Sequence, residues 1–367
     1  MAGERIEAID FDPLTNVIYW TDTSLKTIQR ALLPEQPTQS GYPQDLRIDA
    51  SVPHGIAFDY VTKVLYWTDK QRGEISCAVA DGRYRKTLVT ERHSQPSGIA
   101  VQPQLGLMFW TDTNPQGPKI ESAWMDGSHR KTLVSERLAN PTGLALDTRM
   151  NNRLYWCDAK ENLIESVNSD GSDRVIVASG RLLHPYNLDV FEGHMYWVST
   201  QHGKVMKMDK FGRGVNQTVQ AGLLLPKAVK TFNRLRYDVN VKNRCESLDC
   251  HPLCVHVPDG AKCLCPDGAE FLPGSNKSCD MTIEKPKPQL TSCPCRNGYC
   301  LVSSSSASGV TCVCDEGFSG DRCQHEDGFH VTSSNVLAIV LPICVVILLF
   351  IVVVVLVVLW RRRGYLG

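Results

Sequence analysis

The stretch Pro53-His54-Gly55-Ile56-Ala57-Phe58-Asp59, followed by Val64-Leu65-Tyr66-Trp67-Thr68-Asp69, decides how this chain is read. A short apolar run bounded by Pro and Gly suits a buried strand better than a helix. The aromatic run after it reads as a second strand. Asp81-Gly82 is then a strong hairpin signal, and Lys86-Thr87-Leu88-Val89, polar then apolar, reads as an outer strand. The unit is therefore predicted to hold four strands.

Working outward, the same unit recurs. Its aromatic motif is Tyr19-Trp20-Thr21-Asp22, then Tyr66-Trp67-Thr68-Asp69, Phe109-Trp110-Thr111-Asp112, Tyr155-Trp156-Cys157-Asp158 and Tyr196-Trp197-Val198-Ser199. From Trp20 to Trp67, Trp110, Trp156 and Trp197 the steps are 47, 43, 46 and 41 residues. Pro-x-Gly precedes the inner strand again at Pro96-Ser97-Gly98 and Pro141-Thr142-Gly143, and Asp-Gly returns at Asp126-Gly127 and Asp170-Gly171. Four strands per unit of about 40 to 45 residues is the blade of a β-propeller.

These units resemble the YWTD repeats of the low-density lipoprotein receptor family, over about Glu4 to Arg236. The resemblance implies an all-β fold of six blades, with the aromatic pairs packed between neighbours and the Asp tying strand ends together. Trp20, Asp22, Trp67, Asp69, Trp110, Asp112, Trp156, Asp158 and Trp197 are accordingly structural, not ligand-contacting. Five motifs stand where that family has six. Ile6 to Asp10 reads as the first inner strand, and Lys227 to Phe232 as the inner strand of a sixth blade whose other strands are expected upstream. An unclosed ring would expose two strand edges.

Composition then changes. Of fifteen cysteines, twelve fall between Cys245 and Cys323, in two groups of six. Segments this short depend on disulfides for stability, and spacing alone leaves fifteen connectivities per group. Both groups resemble EGF-like modules, the run Cys312 to Cys323 most closely. That resemblance implies Cys245–Cys254, Cys250–Cys263 and Cys265–Cys279 in the first module, and Cys293–Cys300, Cys295–Cys312 and Cys314–Cys323 in the second. Zinc is the competing reading, but no histidines stand at metal spacing. No calcium is expected, because Lys242-Asn243-Arg244 precedes Cys245 and Leu301 to Thr311 holds no carboxylate. Cys77 and Cys157 are expected as buried free thiols, and Cys344 as inert.

From Val336 to Trp360 runs a stretch of 25 residues without a charge, followed by Arg361-Arg362-Arg363. As a helix it would be roughly 37 Å long, enough to cross a membrane, with the arginines on the cytoplasmic side. The organisation predicted is therefore 1–240 propeller, 241–281 first module, 282–291 linker, 292–324 second module, 325–335 juxtamembrane, 336–360 transmembrane helix and 361–367 cytoplasmic stub. Asn216 and Asn276 are glycosylation sequons. Met1-Ala2-Gly3-Glu4-Arg5 begins no apolar leader, so the expectation is a fragment truncated at the N-terminus. No Asn-Pro-x-Tyr signal is present, so adaptors are not expected to engage the tail.

The 39 basic and 39 acidic residues balance, and no basic stripe points to nucleic acid. The functional expectation is a single-pass receptor of the lipoprotein-receptor-related type, at the plasma membrane and in endosomes. Its partners would be extracellular protein or lipoprotein ligands, with membrane lipid around 336–360. His184, in Leu183-His184-Pro185-Tyr186, is the candidate pH switch, with His54 and His202 behind it. Two other classes compete. A membrane-tethered growth-factor precursor is supported by Gly320-x-Arg322-Cys323, but Gly328 stands where leucine is expected. A propeller hydrolase would use carboxylates such as Asp59, Asp147 and Asp189, read here as equivalent repeat landmarks. No enzyme activity is expected, and no cofactor.

Overall fold

The computed structural model describes residues 5–33, 43–180, 182–238 and 240–281, with shorter strand segments between 298 and 326. Five four-stranded antiparallel sheets follow one another along the chain. Blade 1 is β1 (Ile6–Asp12), β2 (Val17–Asp22), β3 (Thr27–Leu32) and β4 (Gln44–Asp45). Blade 2 is β5 (Pro53–Asp59), β6 (Val64–Asp69), β7 (Glu74–Val79) and β8 (Lys86–Thr90). Blade 3 is β9 (Pro96–Gln102), β10 (Leu107–Asp112), β11 (Lys119–Trp124) and β12 (Lys131–Val134). Blade 4 is β13 (Pro141–Asp147), β14 (Arg153–Asp158), β15 (Leu163–Val167) and β16 (Val175–Ser179). Blade 5 is β17 (Pro185–Phe191), β18 (His194–Ser199), β19 (Lys204–Asp209) and β20 (Gln217–Gln220).

Burial falls from the axis outward. Every residue of β6 and β14 is buried, whereas all four of β20 are exposed. The glycine of Pro-x-Gly has a packing reason: a Cβ on Gly55 would lie 2.1 Å from Ser97 O, and one on Gly98 2.6 Å from Thr142 O. Neighbouring inner strands approach too closely for any side chain there. In the hairpins, Gly82, Gly127 and Gly171 take φ of 85°, 85° and 91°, the conformation that Asp-Gly supplies.

The core lies between blades. The Tyr or Phe of one motif and the Trp of the next share each cluster: Tyr19 with Trp67, Tyr66 with Trp110, Phe109 with Trp156, and Tyr155 with Trp197. Within these clusters Trp20 and Tyr196, at the two ends of the series, find no counterpart. Burying an aromatic side chain of this size contributes about 3 kcal/mol, so the ring is stabilised mainly by this staggered pairing.

Residues 226–232 lie between blade 5 and blade 1 but form no ladder. Among the described residues this segment has no second strand of its own. It is held by Asp189, which accepts from the Thr231 N–H at 2.8 Å, and by Lys230, which pairs with Asp10 at 3.2 Å. Phe232 packs on Phe11 with centroids 4.6 Å apart, and Arg234 donates to Asn16 Oδ1 at 2.9 Å.

The first cysteine-rich module folds as a hairpin, β21 (Leu253–Val257) and β22 (Gly260–Leu264). Its disulfides are Cys245–Cys254, Cys250–Cys263 and Cys265–Cys279. Leu253, Val255 and Leu264 join the cluster between blades 2 and 3. Asp267 accepts from the Thr87 N–H at 3.0 Å and its hydroxyl at 2.6 Å, and Lys262 pairs with Asp126 at 2.6 Å. Gly106 allows the contact, since a Cβ there would lie 2.3 Å from the Val257 carbonyl carbon.

Residues 286–367 form a separate compact unit, in which β23 (Gly298–Val302) pairs with β24 (Val310–Cys314) and β25 (Phe318–Ser319) with β26 (His325–Glu326). The disulfides expected in the second module and the span 336–360 lie outside the residues whose side chains are described. Among the described residues, no helix is long and apolar enough to cross a membrane.

Candidate ligand-binding face at the propeller axis

The motif residues build the frame around the axis. Each Thr hydroxyl joins two blades: Thr68 accepts from the Gly55 N–H at 2.8 Å and donates to Ser97 O at 2.7 Å, and Thr111 does the same between Gly98 and Thr142 O. In blade 4 the motif carries Cys157, and Thr142 itself donates onward to Tyr186 O at 2.6 Å. The motif Asp gathers strand-end amides. Asp69 accepts from Ser51, Val52, Gln71 and Arg72 N–H groups, and Asp158 from Ala139, Asn140, Lys160 and Glu161. Asp22 accepts from Ser24 and Leu25, and Asp112 from Gln95 and Asn114. In blade 5 Ser199 instead donates to Leu183 O.

A second aromatic-centred set was not legible from the motif alone. Arg130 lies over the Trp110 ring at 5.4 Å and forks onto Glu121, and Arg174 lies over Trp156 at 5.5 Å and forks onto Glu165. The nine-residue spacing of Glu121 to Arg130 and Glu165 to Arg174 was the available signal. Glu91, Asp112 and Glu121 also come within 4.8 Å of one another. Lys119 bridges Glu91 and Glu121 at 2.9 and 3.4 Å and Arg130 contacts both, so the cluster is charge-compensated by its own cations.

With Thr and Asp fixing the frame, the second residue of each inner segment faces the mouth of the channel. These residues are Glu7, His54, Ser97, Thr142, Tyr186 and Lys227, one from each of six segments and no two alike. Only about 10 Å³ lies between them. Tyr186 donates to Glu7 Oε2 at 2.9 Å, which leaves its oxygen to accept from His54 Nε2 at 3.2 Å. His54 Nδ1 then accepts from the Ser97 hydroxyl at 3.2 Å. Lys227 pairs with Glu7 at 3.5 Å and lies 4.2 Å over the Tyr186 ring.

His54 is neutral here although Glu7 is 3.8 Å away. Burial, with Lys70 and Lys227 adding repulsion, pushes its pKa down to about 3. Its charge is therefore the same at neutral and endosomal pH, and it cannot serve the switch for which it was a reserve candidate. Burial, then Glu7, pushes the Tyr186 hydroxyl well up, so it stays a donor.

Deeper in the channel, the fifth residues are Asp10, Ala57, Ala100, Ala145, Asp189 and Lys230, around a cavity of about 80 Å³. The reading of Asp59, Asp147 and Asp189 as equivalent landmarks is corrected by this register. Asp59 and Asp147 end their strands and align with Asp12, whereas Asp189 lies two residues earlier and aligns with Asp10. Asp59 holds the following turn through Val61 and Thr62 N–H groups, and Asp147 pairs with Lys210 at 2.5 Å. Asp189 is forked by Arg236 at 2.6 Å on each oxygen; Arg236 and Lys230 outweigh burial and hold its carboxyl below the usual range.

His184 sits at the start of the blade 5 inner strand with φ 62°, its N–H donating to Asn162 Oδ1 at 2.9 Å. His202 Nδ1 lies 3.0 Å from Ser199 Oγ and 3.1 Å from Leu183 O. Asn276 is exposed in the first module and Asn216 half-buried before β20. Cys77 and Cys157 are buried thiols, pushed above their ordinary range by burial.

This fold and its motif chemistry define a β-propeller of Tyr-Trp-Thr-Asp repeats. The description "Low-density lipoprotein receptor repeat class B" matches residues 106–148 and 152–188, and the chain belongs to that receptor-repeat family. It is 34% identical over 194 residues, 52% of its length, to the vitellogenin receptor Yl of Drosophila melanogaster, and spans 10% of that protein. Among solved structures it resembles a chain of the nidogen/laminin complex, with 31% identity, a TM-score of 0.54, and coverage of 61% of this chain and 81% of that one. A gluconolactonase from Xanthomonas campestris, at 20% identity and TM-score 0.50 over 59% and 76% of the two chains, shares the fold alone.

Proposed function

We propose that this chain is the membrane-proximal part of a single-pass endocytic receptor, whose propeller and first EGF-like module bind protein or lipoprotein ligands outside the cell and release them at endosomal pH. The observation carrying this reading is the axial mouth, where six inner segments contribute six unlike polar side chains to a frame that is otherwise repetitive. Repeats conserve what the fold needs and vary where a partner is read. The span 336–360 anchors the chain, with Arg361 to Arg363 inside, and Asn216 and Asn276 carry glycans. No adaptor, calcium or nucleic acid takes part.

A binder suits the axis better than an enzyme. Lys227 and Lys230 bring their own cations to Glu7 and Asp10, where a metal-dependent hydrolase would converge carboxylates. His184, whose ring meets no partner among the described contacts, remains the proposed switch.

The relative's name makes vitellogenin the first ligand to try. Purified full chain, immobilised, should bind it saturably at about pH 7.4 and release it at about pH 5.5, across the range where histidine gains charge. Absence of saturable binding at both pH values removes the ligand reading. Unchanged pH dependence in His184→Ala removes His184 from the release step while leaving binding untouched.

A further inference from the structure

An aromatic cluster fills each boundary from blade 1 to blade 5, but among the described residues none fills the boundary between blade 5 and blade 1. Two N–H groups of the 226–232 segment cross to blade 5, Val229 to Asn187 Oδ1 at 3.3 Å and Thr231 to Asp189 Oδ2 at 2.8 Å. Toward blade 1 the same segment offers Lys227 to Glu7, Lys230 to Asp10, and the ring of Phe232 to Phe11. Phe232 is 50% exposed. This seam is thin beside a boundary that buries a whole Tyr and a whole Trp.

The next stretch, Asn233-Arg234-Leu235-Arg236-Tyr237-Asp238, crosses below the seam. Asn233 starts a single 3-10 turn over Arg234–Arg236, its side chain accepting from the Leu235 N–H at 2.9 Å. The turn sends its side chains to both sides. Arg234 donates to Asn16 Oδ1 of blade 1 at 2.9 Å. Arg236, with 12% of its side chain exposed, forks onto both Asp189 oxygens of blade 5 at 2.6 Å and donates also to Val190 O. Tyr237 meets Phe11 of blade 1 edge-on with centroids 5.6 Å apart, and Tyr60 of blade 2 at 4.9 Å. The Leu235 carbonyl accepts from Arg149 of blade 4, and Asp238 O from the Tyr60 hydroxyl at 3.3 Å. The following turn reaches blade 3, where Arg244 donates to Gln104 O at 3.1 Å. Arg236 and Tyr237 also line the lower cavity, together with Asp10 and Asp189.

We propose that residues 233–238 are a clasp, which holds blade 5 to blade 1 across a seam without an aromatic cluster and closes the lower end of the channel. Forked arginine–carboxylate bonds are strong and directional, and the tyrosine adds edge-on aromatic contacts. Contacts carried on one short segment reinforce each other, because each makes the next intramolecular. The inference goes beyond the receptor reading and needs no ligand. It gives the ring a defined place to open: releasing the clasp frees the seam while the four aromatic interfaces stay packed.

The test measures seam width by double electron–electron resonance on the full chain. Nitroxides are attached in Leu25→Cys of blade 1 and Gln201→Cys of blade 5, both exposed positions, while Cys77 and Cys157 are buried. A control pair, Gln116→Cys with Lys160→Cys, spans the packed boundary of blades 3 and 4 from exposed positions. Arg236→Met combined with Tyr237→Ala should lengthen and broaden the seam distance and leave the control distance unchanged. Arg236→Lys, which keeps a cation on Asp189, should shift it less, and so should Phe232→Ala, which removes a contact of the seam itself. An unchanged seam in the double variant overturns the proposal. So does equal lengthening of both pairs, or a Phe232→Ala shift as large as that of the double variant. If the double variant does not fold, the labelled chain without it decides in rising urea. The Tyr237 N–H, which donates to Arg234 O at 3.1 Å, should then lose exchange protection in the step that lengthens the seam pair, before the control pair changes. A seam that opens while this N–H stays protected also overturns the clasp.

Discussion

Blade 3 and blade 1 are built from the same motif, yet Trp110 and Trp20 live differently. Trp110 is wedged against Tyr66 of the preceding blade, with Arg130 over its face. Trp20 is buried but belongs to none of the four inter-blade clusters. Position within a blade matters in a related way: a Cβ on Gly98 would lie 2.6 Å from Thr142 O of blade 4, whereas one on Gly193, in the β17–β18 turn, would meet open space. The lesson is that a repeat's stability belongs to its interfaces, so identical letters carry different energies at the middle and at the ends of the series.

Trp110→Ala should break the comparison most visibly, costing about 3 to 5 kcal/mol. Trp20→Ala, with no aromatic counterpart, should cost clearly less, and equal losses in chemical unfolding would contradict the interface account. Gly98→Ala comes next, at about 1 to 3 kcal/mol from forcing apart two inner strands. Its control, Gly193→Ala, should stay within about 0.5 kcal/mol. The smallest effect sharpens the contrast at the axis, where the His54 ring meets Glu7, Ser97 and Tyr186 from three other segments. Its folded pKa lies below its unfolded one, so its stabilising share is full above about pH 6.5 and is lost as pH falls toward about 3. Over the first unit below pH 6.5 that amounts to about 1 kcal/mol. His54→Gln should flatten this part of a stability-versus-pH curve; an unchanged slope would place the titration elsewhere.

Much of this was legible from letters because it is local. Pro-x-Gly, the aromatic pair and Asp-Gly each answer to a strand, a wedge or a turn within one unit, and the blades follow. What stayed hidden depends on residues far apart in sequence. Asp267 grips Thr87 across 180 positions and Lys262 grips Asp126 across 136, so no window shows the module docked on blades 2 and 3. Asp189 was misaligned because a lone Asp in a strand carries no register; counting from Pro185 instead of from the motif places it beside Asp10. Lys227 to Phe232 read as an inner strand, but a ladder needs a neighbour that the segment alone does not provide.

The docked module also sets where mechanical load would travel. The chain leaves the propeller near residue 238 and turns back so that Asp267, Lys262 and Leu253 to Leu264 rest on blades 2 and 3. Tension drawn from residue 281 would meet these contacts before it reached the unladdered segment 226–232. Docking thus places the module between a pull from residue 281 and the seam at 226–232.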